Sequence, residues 1–400
     1  MPGPLRSSFF RTKLCISLVS AICLFALLHW KVDRKIEWDY QFPSFLTQPQ
    51  QPLPQPQPQG NLCTPEIFNK GTFVRTPLPF VGSHDELIKK AGYQCSTTAT
   101  RVSKNITIDE LMRQKKAMEW TWNPDSCDLL ELDPDIFTRH LEDNPLLFLG
   151  DSITRQQYVS LRCLLGRTVR QVADPFANST FFMPDKPPVT WRSQLQSERS
   201  AKSNKTIVMF SRSDFLVRSR NLEVIKPGEE IELERDPYNF AWSDLIPKFK
   251  YVVINTGAHW STRILNTTLP ILDAYQIMID RVLEHLSTEY PHVRVFIRGS
   301  VYGHFNCSQY TEPFKEPKLP TPTDGQHNWF SMLKMNDMWK ESIYALNNSQ
   351  ITYFDISFTE LRGDGHADPH KPDCLHYLLP GPMDTWNKLL YHEIIKELQR

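Results

Sequence analysis

"PLLFLGDSITRQQYVSLRCLL", residues 145–165, is the stretch on which the fold reading turns. Four apolar residues in a row, Leu146 to Leu149, run into Gly-Asp-Ser, and a helical pattern follows from 153 to 165. An unbroken apolar run ending in a turn signal reads as a strand covered on both faces. Gly150 permits a tight turn there. Ser152 then stands where a strand hands over to a helix, either as the helix cap or as a nucleophile, and Asp151 could serve equally as the cap. A hydroxyl is a poor nucleophile at neutral pH, so the second role needs a base beside it.

Working outward, further short apolar runs lie at 206–210, 250–255, 293–297 and 351–356. Helical patterns separate or follow them at 269–288, 331–346 and 383–398; in the first, Leu272, Tyr275, Ile279, Val282 and Leu286 share one face. Strands alternating with helices predict an α/β domain with a central parallel sheet, whose chemistry gathers at the carboxyl ends of the strands. The polar motifs fall there: Gly150-Asp151-Ser152, Asn255-Thr256-Gly257 and Arg298-Gly299.

The partner sought for Ser152 stands near the C-terminus, in "KPDCLHYLLPGPMDTWN", residues 371–387. Asp373 and His376 are three positions apart, which lets a carboxylate reach one ring nitrogen while the other faces a hydroxyl. The helix N-terminus after Ser152 offers N–H groups and a positive dipole end to a developing oxyanion. Each motif has a plain structural reading, a cap or a loop hydrogen bond; their joint placement favours catalysis. The same region collects His366, His370 and His376 with Asp364, Asp368 and Asp373, a set with zinc-binding chemistry. Its prolines break any helix, so His-x-x-x-His does not put both rings on one face, and no metal is expected.

Composition narrows the setting. Lysines plus arginines number 45 and acids 45, so no polyanion footprint favours nucleic acid. Residues 14–30 carry no charged side chain, follow Arg6, Arg11 and Lys13, and reach about 25 Å as a helix. They are expected to anchor the chain in a bilayer, with 1–13 cytosolic and the bulk lumenal. No small-x-small cleavage site is evident after the apolar run, which favours an uncleaved anchor over a signal peptide. Residues 31–62 contain a Pro/Gln tract and read as a stalk. The folded region is expected over 63–400, as an irregular, cysteine-stapled lobe at 63–144 and an α/β core at 145–400.

Beyond the anchor lie Cys63, Cys95, Cys127, Cys163, Cys307 and Cys374. Six cysteines suggest three disulfides, with 15 possible pairings. Asn105, Asn178, Asn204, Asn266 and Asn347 stand in glycosylation sequons, and Asn306 in a weaker one.

Several ordered motifs resemble the PC-esterase family, which includes plant trichome birefringence-like polysaccharide O-acetyltransferases and fungal and animal relatives. They are "WTWNPDSCDL" (120–129), "FLGDSITRQQYVSLRCLL" (148–165), "VVINTGAHW" (252–260), "DISFTELRGDGH" (355–366) and "DCLHYLLPGPMDTWNKLLY" (373–391), within a resemblance spanning 63–396. It implies an SGNH-like α/β/α sandwich, a Golgi or other secretory-pathway membrane address with type II topology, and acetyl transfer through a serine ester. Ser152 resembles the nucleophile, His376 the general base and Asp373 its orienting carboxylate. Arg155, the Gly257 N–H and the Asn255 side chain resemble oxyanion donors. Plant members read Asn-Thr-Gly-His-Trp-Trp where this chain has Asn-Thr-Gly-Ala-His-Trp, which leaves His259 without a carried-over role. They also carry two further cysteines, one at the position of Leu378. Loss of that bridge implies the pairs Cys63–Cys127, Cys95–Cys163 and Cys307–Cys374.

The expected partners are a glycan or polysaccharide acceptor, an acetyl donor of unnamed identity and, through 14–30, the bilayer; no bound cofactor is expected. Two rivals remain: an acetyl-esterase with the same triad, and a silent glycan binder stacking sugars on Trp242, Trp260, Trp329 or Trp386.

Overall fold

The computed structural model describes residues 61–95, 107–172, 180–181, 189–190, 195–225, 238–261, 265, 268–322, 328–368 and 373–398. The expected anchor and, except for Asn61 and Leu62, the expected stalk lie outside them, as do Asn105, Asn178, Asn266 and His370. Among the described residues no helix is long and apolar enough to cross a membrane.

The N-terminal lobe is more regular than its sequence suggested. It holds helix α1 (Pro65–Phe68), strand β1 (Gly71–Arg75), helices α2 (His84–Lys90) and α3 (Ile108–Met118), and strand β2 (Trp120–Pro124). β1 and β2 pair antiparallel although the opposed Arg75 and Trp120 are far apart in the chain. Local periodicity cannot reveal a pairing that the fold brings together at that distance. Ser83 and Thr107 cap α2 and α3 by accepting from Glu86 N and Glu110 N, the Ser/Thr-x-x-Glu signature of a helix start.

The core follows with α4 (Pro134–Leu141), β3 (Leu146–Gly150), α5 (Ser152–Leu165), β4 (Val169–Val172), a short ladder of β5 (Thr180–Phe181) with β6 (Val189–Thr190), β7 (Leu195–Ser200) and β8 (Thr206–Arg212). Then come β9 (Tyr251–Asn255), α6 (Ile271–Glu289), β10 (Arg294–Arg298), α7 (Trp329–Leu346), β11 (Ile351–Phe354), β12 (His366–Asp368), β13 (Asp373–Tyr377) and α8 (Pro382–Glu397). Seven strands form one sheet in the order β11-β10-β9-β3-β8-β7-β4. The first five run parallel, as expected, but β7 and β4 add antiparallel, so the sheet is mixed. That antiparallel pair was missed because "LQSERS" at β7 and "VRQV" at β4 are largely polar and show no apolar run.

β3 confirms the reading of the opening stretch. Leu146 and Phe148 face a core shared with α5 and α8, while Leu147 and Leu149 face one shared with α6 and α7. All four are fully buried, each contributing about 1.5–3 kcal/mol. The period of two sends alternate residues to opposite faces.

The three disulfides are Cys63–Cys127, Cys95–Cys163 and Cys307–Cys374, the pairing that the family resemblance implied. The second ties the N-terminal lobe to α5. The lobe is also held from α8, where Lys396 Nζ and His392 Nε2 donate to Cys63 O at 2.8 and 3.0 Å, while His392 Nδ1 accepts from Leu130 N. Trp242, Trp260 and Trp386 are fully buried and Trp329 is 5% exposed. They are core residues, so the four-tryptophan sugar platform is corrected.

Candidate active site

The site is built where β3 meets α5. Gly150 has φ +148°, a region L side chains rarely enter, and a Cβ there would lie 2.1 Å from Asn255 O. Only glycine lets β3 turn this close to β9. Asp151 is the N-cap of α5, its carboxylate accepting from Ile153 N at 2.9 Å and Thr154 N at 3.3 Å. With the cap supplied by Asp151, Ser152 is the first residue of the helix proper, half-buried at its positive end.

From the far end of the chain, β13 brings the partner. Ser152 Oγ lies 2.8 Å from His376 Nε2, and His376 Nδ1 lies 2.8 Å from Asp373 Oδ2. The ring therefore donates from Nδ1 to the carboxylate and accepts the serine proton at Nε2, although 224 residues separate serine and histidine. Asp373 Oδ1 also accepts from His376 N at 3.1 Å and Leu375 N at 3.3 Å. Burial pushes the Asp373 carboxyl up, but the hydrogen bond and charge of His376, with the two backbone donors, hold it well below the usual carboxylate range.

Two residues support this arrangement: one that motif reading passed over, and one, in the strand-end motif Arg298-Gly299, to which it attached no role. Gln156, one turn after Ser152, donates from Nε2 to Tyr377 O at 2.9 Å and accepts from Tyr377 N at 3.2 Å. It pins the backbone next to His376 onto the serine's own helix. Its i+4 spacing from Ser152 was a signal in the sequence, but a glutamine carries no catalytic flag. Arg298, at the end of β10, is 1% exposed; its Nη2 donates to Thr154 Oγ1 at 3.1 Å, and its guanidinium lies over the Trp386 ring. Burial draws its pKa down to about 10, against the attraction of Asp151, so it remains a cation beside the first turn of the serine helix.

The expected oxyanion donors fall differently. Arg155 is half-buried on α5, one turn after Ser152. Gly257 is buried two residues past β9, where a Cβ would meet Ser300 Oγ at 2.4 Å. The Asn255 amide donates to Arg298 O at 2.9 Å and Ser300 Oγ at 3.0 Å. Both of its hydrogens are taken up inside the protein, where the side chain braces the end of β9 against the end of β10. His259 Nε2 lies 3.3 Å from Asp214 Oδ2, a carboxylate also gripped by Arg212 at 2.7 and 2.9 Å. Of the clustered histidines, His366 is 1% exposed and turns its ring to His304 and to the backbone of His376.

A parallel core, a serine on the first turn after its first strand, and an Asp-x-x-His on the last strand before the final helix define an SGNH-type serine enzyme. Sequence comparison agrees: residues 129–393 match the PC-Esterase family, described as a GDSL/SGNH-like acyl-esterase family found in Pmr5 and Cas1p. The chain belongs to this family and is an enzyme of the kind that transfers or hydrolyses acyl esters. It is similar to Protein trichome birefringence-like 25 of Arabidopsis thaliana, 27% identical over 330 residues covering 71% of this chain and 69% of the relative. It is also similar to Xylan O-acetyltransferase 2 of Oryza sativa subsp. japonica, 26% identical over 324 residues covering 69% of this chain and 61% of the relative. A solved peptidoglycan O-acetylesterase matches at 10% identity and a TM-score of 0.33, covering 66% of this chain and 95% of that one.

Proposed function

We propose that the protein is an O-acetyltransferase that moves an acetyl group to a hydroxyl of a polysaccharide or glycan through an ester on Ser152. The observation that carries this reading is the unbroken row from Ser152 Oγ through His376 to Asp373, with both links at 2.8 Å. Kinship with a xylan O-acetyltransferase supports the acceptor class.

In the first half-reaction, Ser152 Oγ attacks the acetyl carbonyl as its proton passes to His376 Nε2. Asp373 stabilises the resulting imidazolium. The oxyanion develops against the positive end of α5, with Gly257 N–H and Arg155 as donors; a fixed donor of this kind is worth about 10²–10³-fold in rate. The imidazolium returns its proton to the leaving group of the donor. In the second half, the sugar hydroxyl gives its proton to Nε2 and attacks the ester, and Ser152 departs as that proton returns to it. Water in place of the sugar makes the same centre an esterase.

The setting proposed is the lumen of the Golgi or another secretory compartment, with residues 14–30 as a type II anchor. Three disulfides support an oxidising compartment. Of the glycosylation candidates in the described residues, Asn204 and Asn347 are exposed.

The test is to label the protein with a fluorophosphonate, then incubate it with an acetyl donor and a panel of polysaccharides. Wild type labels at Ser152 and acetylates one of the glycans, and Ser152→Ala does neither. Consumption of donor without acetylated sugar indicates a hydrolase. No labelling of wild type ends the serine-ester reading.

A further inference from the structure

A second pair of histidines lies behind the first. His304, in the loop after β10, and His366, at the start of β12, are 3% and 1% exposed. His304 Nδ1 and His366 Nε2 stand 2.7 Å apart. The row continues at both ends: His304 Nε2 lies 2.9 Å from Glu360 O, and His366 Nδ1 lies 3.1 Å from His376 O. The Tyr377 ring stacks on His366, with centroids 4.3 Å apart and planes 21° apart, so the imidazole has little freedom to turn away.

The protons in this row can be counted. Carbonyl oxygens only accept, so each outer contact needs an N–H on the ring that meets it. A neutral imidazole carries one N–H. Two neutral rings that made both outer bonds would face each other with bare lone pairs across 2.7 Å. The neutral pair therefore fills two of the three contacts, and all three fill together only when one ring is an imidazolium. Burial, with Lys318 adding to it, holds His304 down to about 4 in spite of the Glu360 carbonyl and Asp364. Near neutral pH the pair holds two protons, and their arrangement decides which carbonyl has a donor.

We propose that His366 is a positioning residue for His376. It donates from Nδ1 to the carbonyl of the catalytic histidine, and His304 holds it in that tautomer by donating from Nδ1 to His366 Nε2, so that of the three contacts the one between His304 Nε2 and Glu360 O is left without a hydrogen. This rests on His376 being the base for Ser152. The geometry gives the clamp its purpose. Gln156 fixes the backbone of Tyr377 from α5, and His366 fixes the adjoining carbonyl from the opposite flank. The peptide that carries the imidazole is then held on both sides, and Nε2 stays within proton-transfer distance of Ser152. His304 N also donates to Cys374 O at 3.0 Å, beside the Cys307–Cys374 bridge, so the loop carrying His304 is tied to the strand carrying His376.

Two measurements test this. The first is ¹⁵N NMR of the wild-type protein with labelled histidine, assigned by comparison with His366→Asn. The expected result is a His366 ring protonated at Nδ1 with Nε2 accepting; a His366 ring protonated at Nε2 overturns the proposal whatever the activity is. The second is kinetic. His366→Leu is expected to lower both kcat and the rate of fluorophosphonate labelling by about 10²-fold, the size of an ångström-scale misplacement, with KM unchanged. His366→Asn keeps an amide N–H near the Nδ1 position and is expected to recover most of that loss. Labelling of His366→Leu at the wild-type rate, or no recovery in His366→Asn, overturns the proposal. If His366→Leu does not fold, the NMR result on wild type decides. If wild type itself does not label, it is the serine-ester reading that has failed, and the tautomer still reports on the clamp.

Discussion

Asp151 and Ser152 divide two tasks that neighbouring residues at a helix start often compete for. Asp151, 1% exposed, satisfies the first N–H groups of α5, which leaves the Ser152 hydroxyl for His376. In the proposed mechanism Asp373 is the residue whose charge the chemistry most needs, since a neutral amide in its place cannot hold the ring in the Nδ1–H tautomer or stabilise an imidazolium. Asp373→Asn is therefore expected to lower kcat by roughly 10³–10⁴-fold with little change in KM, measured on any ester the wild type turns over. Its depressed pKa has a sign for stability as well. The contribution is full above the ordinary value of 3.8 and is lost as pH falls towards the lower native value. Asp373 thus stays ionised through the neutral range, and its titration shapes only the acid end of a stability profile.

Between elements, the contact that matters most for the site is α5 against β13. Gln156 bonds both backbone groups of Tyr377, one through each atom of its amide. Removing it as Gln156→Ala is expected to lower kcat by up to about 10²-fold through misplacement of His376 and to cost about 1–2 kcal/mol in a urea melt. At the other side of α5, the antiparallel strand β7 inserts Glu198, 1% exposed, which accepts from Tyr158 Oη at 2.8 Å with Arg162 3.7 Å away. Burial raises its pKa to about 7, against the lowering by Tyr158 and Arg162. A native value above the unfolded one means stability is greatest below about pH 4.5 for this group and is lost as pH rises towards 7. Glu198→Gln is expected to flatten that part of the melting-temperature profile; an unchanged slope between pH 5 and 8 would show that the group is not titrating there (about one ionisation's worth of slope is at stake).

At the scale of the whole molecule, Asp384 joins three distant parts. Its carboxylate, at the start of α8, accepts from Ser160 Oγ of α5 at 2.6 Å, from Gly381 N at 3.1 Å, and from Tyr93 Oη of the N-terminal lobe. Burial raises the Asp384 pKa, so each donor lost is felt directly by a charge shut off from water. Tyr93→Phe is expected to cost about 1–3 kcal/mol of unfolding free energy, read from a denaturant melt. A null effect would show that the lobe is held by its disulfides and by the Cys63 carbonyl contacts from α8.

The chain by itself determined the main elements of the core and the family to which the protein belongs. The five parallel strands and four main helices were legible because each has a local signal: an apolar run for strands covered on both faces, a 3–4 spacing for helices. Ser152, Asp373 and His376 were legible because motifs at strand ends carry recognisable side chains. The antiparallel edge β7–β4, the β1–β2 pair, and the roles of Gln156, Arg298, His304 and His366 were decided only by the tertiary structure. Their partners are other parts of the backbone or rings far away in sequence, and a contact made across the fold leaves no period in the chain. Asn255 shows the same limit from the other direction. Its place after β9 suggested a donor to substrate, but only the packed neighbours Arg298 and Ser300 fix where its hydrogens point.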